Sequence, residues 1–511
     1  MKRSSGVLLH ISSLPGKYGI GTLGHEARTF ADFCHQAGLG WWQVLPIGPT
    51  GYGNSPYQSD SVFAGNPNLI DLEELIEEGL LSQKECDKKD WGDDSKKGKS
   101  KVCFDKVSAA KQELLHQAFL RARKKTEYWK QVELFFQEQY DWLSDYALYL
   151  SLKEKMGQKP WMEWEEKIRF RDAKTLDNWK ETLKQEMEYP VFVQYLFYSQ
   201  WMKFKEYCNR KGVRLIGDIP IYVAPDSCDT WVNFKLFEYD EKGYPIRVAG
   251  CPPDYFSKTG QLWGNPLYRW DVMEQDGYAW WIKRIGAMSK LFDLIRIDHF
   301  RGFAGYYAID AKASTAEHGV WEKGPGEKLF LAIRKQLPKV ALIAEDLGVI
   351  TEDVCQLRDQ FGFPGMKVLQ FAFSPKEESE YLPHNCPKRS VIYTGTHDND
   401  TSLGWMKTAS KEELSMAKVY LGTSGKKNFS WAMIHAAWVS PCELAIAPMQ
   451  DFLGLDSSAR MNTPSTVGGN WEWRMQSSDA DKKLAREILK LNQASWRNPV
   501  YNKKVKAKVK K

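Results

Sequence analysis

The sequence has no CxxC pair, although it holds nine cysteines. An odd number of scattered thiols argues against disulfide stapling and against a zinc site, and points to a reducing compartment. Long apolar runs are missing too: none approaches the roughly 20 residues of a membrane span. The N-terminal MKRSSGVLLHISSLPG has only a four-residue apolar stretch, too short for a secretory signal. A cytoplasmic protein is the expectation, and a plastid home also fits a processed chain. HExxH, the P-loop and GxSxG are all absent, which removes the commonest signatures of zinc proteases, nucleotide hydrolases and serine hydrolases. A net charge of one sign is lacking as well. The formal charge is +6, and the tail KKVKAKVKK (503–511) carries six lysines. The body is therefore neutral, so no nucleic-acid footprint is expected. The tail reads as solvated chain.

Aromatic residues are plentiful: 21 Trp, 23 Tyr and 24 Phe in 511 residues. They suit a packed aromatic core, and equally the faces on which the C–H edges of sugars stack. Eight short apolar runs read as buried strands: 6–10, 41–47, 213–221, 294–300, 341–348, 366–373, 390–398 and 444–452. Helical patterns such as HEARTFADFCHQAG (25–38) and GEKLFLAIRKQL (326–337) lie between them. Buried strands alternating with helices argue a parallel sheet. Eight of them predict an α/β fold, a (β/α)8 TIM barrel. The expected organisation is one catalytic barrel over 1–500. A mostly helical insertion (48–212) separates strands 2 and 3, a loop-rich one (224–290) separates strands 3 and 4, and the Lys-rich tail is 501–511.

GIGTLG (19–24) fits GxGxxG. A dinucleotide site would need an acid about 20 residues on, at the end of the next strand, and that strand ends VLPIGPTG. A plain turn is the better reading. The stronger pattern is a set of acids closing apolar runs. These are Asp218 in LIGDIP, Asp298 in IRIDHF, Glu345 and Asp346 in IAEDLG, and His397–Asp398 in TGTHDND. Such acids also serve as strand caps and salt bridges, but in a barrel the C-terminal strand ends form the floor of the active site. Alternation puts Arg296 and Asp298 on one face, where the guanidinium is expected to lower the carboxylate's pKa and keep it ionised. Glycosyl transfer needs such a floor: one carboxylate attacks the anomeric carbon and one acid protonates the leaving oxygen. A Glu among other carboxylates would have a raised pKa and suit the acid. A cation site at HDND (397–400) is the weaker alternative, because the spaced ligands and glycine of a calcium loop are missing.

The motifs RIDHFRG, AEDLG and THDND resemble those of the 4-α-glucanotransferases (amylomaltases or disproportionating enzymes) of glycoside hydrolase family 77. LLHISSLPG, GIGTLG, WWQVLPIGPTGYGNSPYQ, GDIPIYV, PPDYFSKTGQLWGNPLY and NTPSTVGGNWEWR resemble the same family, from about residue 5 to 500. The resemblance implies Asp298 as nucleophile, Glu345 as general acid/base and Asp398 as the group that binds hydroxyls of the distorted −1 glucose. It implies Arg296 as the partner that holds Asp298 ionised, and Asp218 and His397 as the lining of the −1 subsite. Ser55, Tyr57, Asp254, Gln261, Trp263 and Asn470 would contact glucan, and His299 would support the site or touch sugar. Trp263 also fits core packing and Tyr57 a turn. A retaining mechanism implies carboxyls about 5–5.5 Å apart. α-1,4-Glucans and maltooligosaccharides are the implied donors and acceptors. No cofactor, metal, nucleic acid or membrane is expected, and the chain is expected to be a monomer or weak oligomer. An α-amylase-type hydrolase, and a glucan-binding protein with a decayed site, are the rival readings. The three intact acids argue against decay.

Overall fold

The computed structural model describes residues 2–92, 101–253 and 258–498. Its strands in chain order are β1 (Ser4–Leu8), β2 (Trp41–Gln43), β3 (Arg214–Ile219), β4 (Arg247–Cys251), β5 (Gln261–Pro266) and β6 (Leu294–Ile297). They continue as β7 (Gly305–Asp310), β8 (Val320–Lys323), β9 (Leu342–Ala344), β10 (Gly365–Val368), β11 (Ser390–Tyr393) and β12 (Leu444–Pro448). Eight of these, one for each apolar run, pair in parallel in the order β10-β11-β12-β1-β2-β3-β6-β9. The Ala344 N–H donates to the carbonyl of Pro364, beside β10, at 3.0 Å. That bond brings the two end strands together into the (β/α)8 barrel. β1, β6 and β9 to β12 are buried throughout, as expected where helices cover one face and side chains fill the interior of the other.

The strands are shorter than the apolar runs that mark them. β2 stops at Gln43 and β11 at Tyr393, and the leftover residues at each C-terminal end are loop. This is why the acids sit just past the strands. Asp298 follows β6 directly, Glu345 follows β9 directly, and Asp398 lies five positions beyond β11.

Between β2 and β3 run four long helices, Phe104–Ala122, Thr126–Glu138, Tyr140–Lys155 and Lys184–Arg210. The last of them fastens the loop that carries Tyr57. Gln194 accepts from Gly65 N–H at 2.7 Å and donates to the Gly65 carbonyl at 3.0 Å, and the Tyr198 hydroxyl donates to the Phe63 carbonyl at 2.6 Å. Trp201 ties the same helix to the barrel through the Leu291 carbonyl at 3.1 Å.

A second sheet, β5-β4-β7-β8, is antiparallel. The sequence reading does not anticipate it, because RVAGC and QLWGNP carry glycine or proline and lack clean alternation. The GIGTLG stretch is a loop ahead of the helix His25–Gln36. A Cβ at Gly24 would lie 2.1 Å from the Asp71 carboxylate, so close packing accounts for that glycine. No helix among the described residues is long and apolar enough to cross a membrane.

Candidate active site

The floor of the barrel is organised by one guanidinium. Asp218 on β3 and Arg296 on β6 are register partners and both are buried. Nη1 of Arg296 lies 2.7 Å from each oxygen of Asp218 and 3.0 Å from Oδ1 of Asp298. A second hydrogen bond on Asp218 comes from the Tyr57 hydroxyl at 2.9 Å. One cation therefore serves two carboxylates, and the buried one takes the larger share.

Asp298 and Glu345 are fixed to the same turn. The Asp298 N–H donates to the Ile219 carbonyl at 2.9 Å, which continues the β3–β6 ladder. His299 then takes a left-handed backbone conformation, φ 51°, uncommon for a residue with a Cβ and typical of tight functional turns. Its N–H reaches Oε2 of Glu345 at 2.6 Å, and Leu347 N–H holds Oε1 at 2.9 Å. The Phe300 N–H donates to the Glu345 carbonyl at 3.0 Å. Thus the backbone next to one acid grips the carboxyl of the other.

Both carboxyls titrate above the ordinary range, mainly because they are buried. Arg296 pulls both down. The Asp298 charge adds to the rise of Glu345, which is pushed up to about 8. Asp218 and Asp398 add to the rise of Asp298, which reaches about 6. Arg296 lowers the Asp298 pKa as the sequence reading expects, but the net shift is upward, because desolvation together with the Asp218 and Asp398 charges outweighs that attraction. The charge state survives the correction, since a group titrating near 6 is mostly ionised at pH 7. Asp298 is the more open of the two, its side chain 30% exposed, whereas Glu345 is buried.

The third acid sits in the loop after β11. Oδ1 of Asp398 accepts from Nδ2 of Asn462 at 2.6 Å, and Oδ2 lies 3.4 Å from Nε2 of His397. Arg460 donates to the Asp398 carbonyl at 2.6 Å, and the Asn462 N–H donates to the His397 carbonyl at 3.1 Å. The His397 ring stacks on Tyr57 with centroids 5.1 Å apart, and Trp471 closes the cluster 5.9 Å from His397. On the other side, Trp263 meets the His299 ring edge-on at 4.8 Å, and Gln261 accepts from the Trp263 indole at 3.2 Å. Burial holds His299 neutral, its pKa pushed down to about 3.

The structure thus gathers Asp298, Glu345, Asp398, Arg296, His397, Asp218 and Tyr57, with Trp263, Gln261 and His299 along one wall. Ser55 caps a turn, its Oγ accepting from Tyr57 N–H at 3.3 Å. Asn470 spends its amide inside its own loop, accepting from Thr463 N–H at 3.0 Å and donating to the Thr466 carbonyl at 3.1 Å. Asp254 lies outside the described residues. Asp346 turns away from the site, to Met366 N–H at 2.6 Å and Arg358 at 2.5 Å. Asn462 and Arg460 are functional neighbours that the sequence reading does not single out. Asn462 stands in the quoted NTPSTVGGNWEWR motif, but spacing alone does not say which of its two asparagines faces Asp398. Among the described residues, no group of three His, Cys, Asp or Glu side chains converges as metal ligands.

An eight-stranded parallel barrel with acids and aromatic side chains at the C-terminal ends of its strands has the architecture of a carbohydrate-active barrel enzyme. The sequence profile of glycoside hydrolase family 77, described as 4-alpha-glucanotransferase, matches residues 9–480. The 4-alpha-glucanotransferase of Thermus thermophilus is 46% identical over 506 residues, covering 97% of this chain and 99% of that protein. That of Streptococcus pneumoniae TIGR4 is 46% identical over 495 residues, covering 96% of each. Among solved structures, an amylomaltase from Streptococcus agalactiae in complex with acarbose superposes with a TM-score of 0.94 at 37% identity, covering 97% of this chain and all of that one. The chain belongs to the 4-alpha-glucanotransferase family, and it is a glucan-transferring enzyme.

Proposed function

We propose that this chain moves a segment of an α-1,4-glucan to the 4-OH of a second glucan or of glucose by a retaining double displacement, with Asp298 as nucleophile and Glu345 as acid/base. The observation that carries this reading is geometric: Asp298 shares the Arg296 guanidinium with Asp218, and the carboxyl of Glu345 is held beside it by the His299 and Leu347 N–H groups. Burial and the neighbouring Asp298 charge raise the Glu345 pKa, which suits it to give the proton that the first step needs.

In that step Glu345 gives its proton to the glycosidic oxygen while a carboxylate oxygen of Asp298 attacks the anomeric carbon. The C–O bond to the leaving sugar breaks, and the leaving sugar departs with a free 4-OH. Forming the ester removes the negative charge of Asp298, which had been raising the pKa of Glu345. Glu345 thereby becomes easier to ionise and fit to act as a base. In the second step it takes the proton of the acceptor's 4-OH, and that oxygen displaces Asp298. Two inversions give net retention. Asp398, oriented by Asn462 and His397, takes hydroxyls of the −1 sugar. Arg296 balances the shared negative charge, and Asp218 and Tyr57 set the position of Arg296. That the amylomaltase of Streptococcus agalactiae was solved in complex with acarbose supports an α-glucan ligand for this chain.

Transfer wins over hydrolysis when a sugar reaches the ester before water does. Of the Trp- and Gly-bearing segments 249–268 and 464–474, the described parts, 249–253, 258–268 and 464–474, are the walls proposed to bind acceptor and exclude water. The test is incubation with maltotriose. Glucose together with a ladder of longer maltooligosaccharides is expected. Shorter products alone would make the chain a hydrolase, and unchanged maltotriose with retained glucan binding would make it a binding protein.

A further inference from the structure

We infer that His10 is a positioning residue for Asp398, and that it acts through one buried water shared with Gln450 and Arg460. His10 stands two residues past β1, at the same end of the barrel as the three acids. It is 7% exposed, and its Nδ1 meets no hydrogen-bond partner among the described residues. Burial holds the ring neutral, its pKa pushed down to about 3, and the neighbouring His397 adds to the fall. A neutral imidazole offers one N–H donor and one bare nitrogen. Burying either of them without a partner is costly, so such a nitrogen normally meets protein or ordered water.

His10 lines a small cavity of about 20 Å³. One water needs about 10–15 Å³ on the same measure, and roughly two to four polar partners. The floor of the cavity is built from two neighbouring strands. Leu8 on β1 and Pro448 on β12 are register partners, and both line it. His10 and Gln450 follow them, each two residues further on. Gln450 is buried and donates through Nε2 to the Ala459 carbonyl at 3.2 Å, so its Oε1 remains as an acceptor. The roof is the loop of the third acid, represented by His397 and Arg460. Arg460 gives Nε to the Asn462 carbonyl at 2.8 Å and Nη2 to the Asp398 carbonyl at 2.6 Å, and Nη1 is its remaining donor. A water among His10, Gln450 and Arg460 therefore ties the rigid end of β1 to the guanidinium that holds the Asp398 backbone. The same guanidinium holds Asn462, whose Nδ2 reaches Oδ1 of Asp398 at 2.6 Å. His10 touches no reacting atom, and its effect passes through Arg460. This inference rests on the role proposed for Asp398 above, and adds to it the support that keeps that carboxylate in place.

The test has two arms. The first needs no variant to fold: a high-resolution crystal structure of the wild-type chain should show one ordered water within hydrogen-bond distance of His10 Nδ1 and of Gln450 or Arg460. A cavity without that water overturns the inference. The second arm compares His10→Phe, which fills the volume but removes both nitrogens, with His10→Asn, which keeps an amide where Nδ1 stands. With maltotriose, kcat should fall about tenfold in His10→Phe while KM changes little, and should largely survive in His10→Asn. An unchanged kcat in His10→Phe, or an equal loss in both variants, overturns the positioning role. Added to Asn462→Ala, His10→Phe should cost less than it costs wild type, because both act on Asp398; losses that simply multiply contradict the inference. If wild type transfers no glucan, the functional reading fails, and the crystallographic water alone then decides the site.

Discussion

Asp298 shares its counter-ion with Asp218, so removing the Asp218 charge should make the nucleophile more acidic. Asp218→Asn is the perturbation. Asparagine keeps the volume and leaves an oxygen to accept from Arg296 and from Tyr57. The two carboxylates lie within about 6 Å of each other, because both reach the same nitrogen of Arg296, at 2.7 and 3.0 Å. At that separation and an effective dielectric of about 20, like charges repel by about 2 to 3 kcal/mol. Solvent reaching the partly exposed Asp298, and relaxation of Arg296, reduce this; about one pH unit should remain. The sign follows from the carboxylate. Asp218 raises the Asp298 pKa, so its loss lowers it. The acidic limb of kcat/KM reports the free enzyme and should move from near pH 6 toward 5, with the alkaline limb set by Glu345 little changed. The assay is the initial rate of glucose release from maltotriose across pH 4 to 9, at substrate well below KM, with the melting temperature checked at each pH. An acidic limb that stays in place, or moves upward, would refute the idea that Asp298 sets it and that Arg296 is divided between two acids.

Two further outcomes follow from the same geometry. Glu345 binds its proton more tightly in the folded chain than in the unfolded one, so the native state loses stability relative to the unfolded chain as pH rises from about 4.5 toward 8. Glu345→Gln should therefore melt above wild type at pH 8 by about 2 °C or more, with the gap closing near pH 4.5; scanning calorimetry at both values decides it, and a gap that widens on acidification contradicts it. Asn462→Ala removes the 2.6 Å hydrogen bond that orients Asp398, and should lower kcat at least tenfold while KM for maltotriose changes little, whereas a KM effect alone would make Asn462 a binding group.

The barrel is legible in the sequence because parallel strands are buried on both faces and leave continuous apolar runs, and all eight of those runs contain strands. The antiparallel sheet is not legible. Its strands are interrupted by Gly250, Gly264 and Pro266, and two of them, β7 and β8, follow the Asp298 turn outside the eight apolar runs. The acids are legible because each closes a run. Their electrostatics are only half so: adjacency shows that Arg296 serves Asp298, but no spacing shows that Asp218, 78 positions earlier, takes a larger share of the same guanidinium. Asn462 and Asn470 fail for a similar reason, since their roles depend on how one loop folds back on another.

The central claim is a covalent glucosyl ester on Asp298. It is tested most directly by treating Glu345→Gln with α-maltosyl fluoride, whose leaving group needs no proton, and mapping the adduct by mass spectrometry of peptides. Without a base to activate an acceptor the ester should accumulate, and one maltosyl group should be found on Asp298. No adduct, or an adduct on another side chain with Asp298 free, would contradict the account.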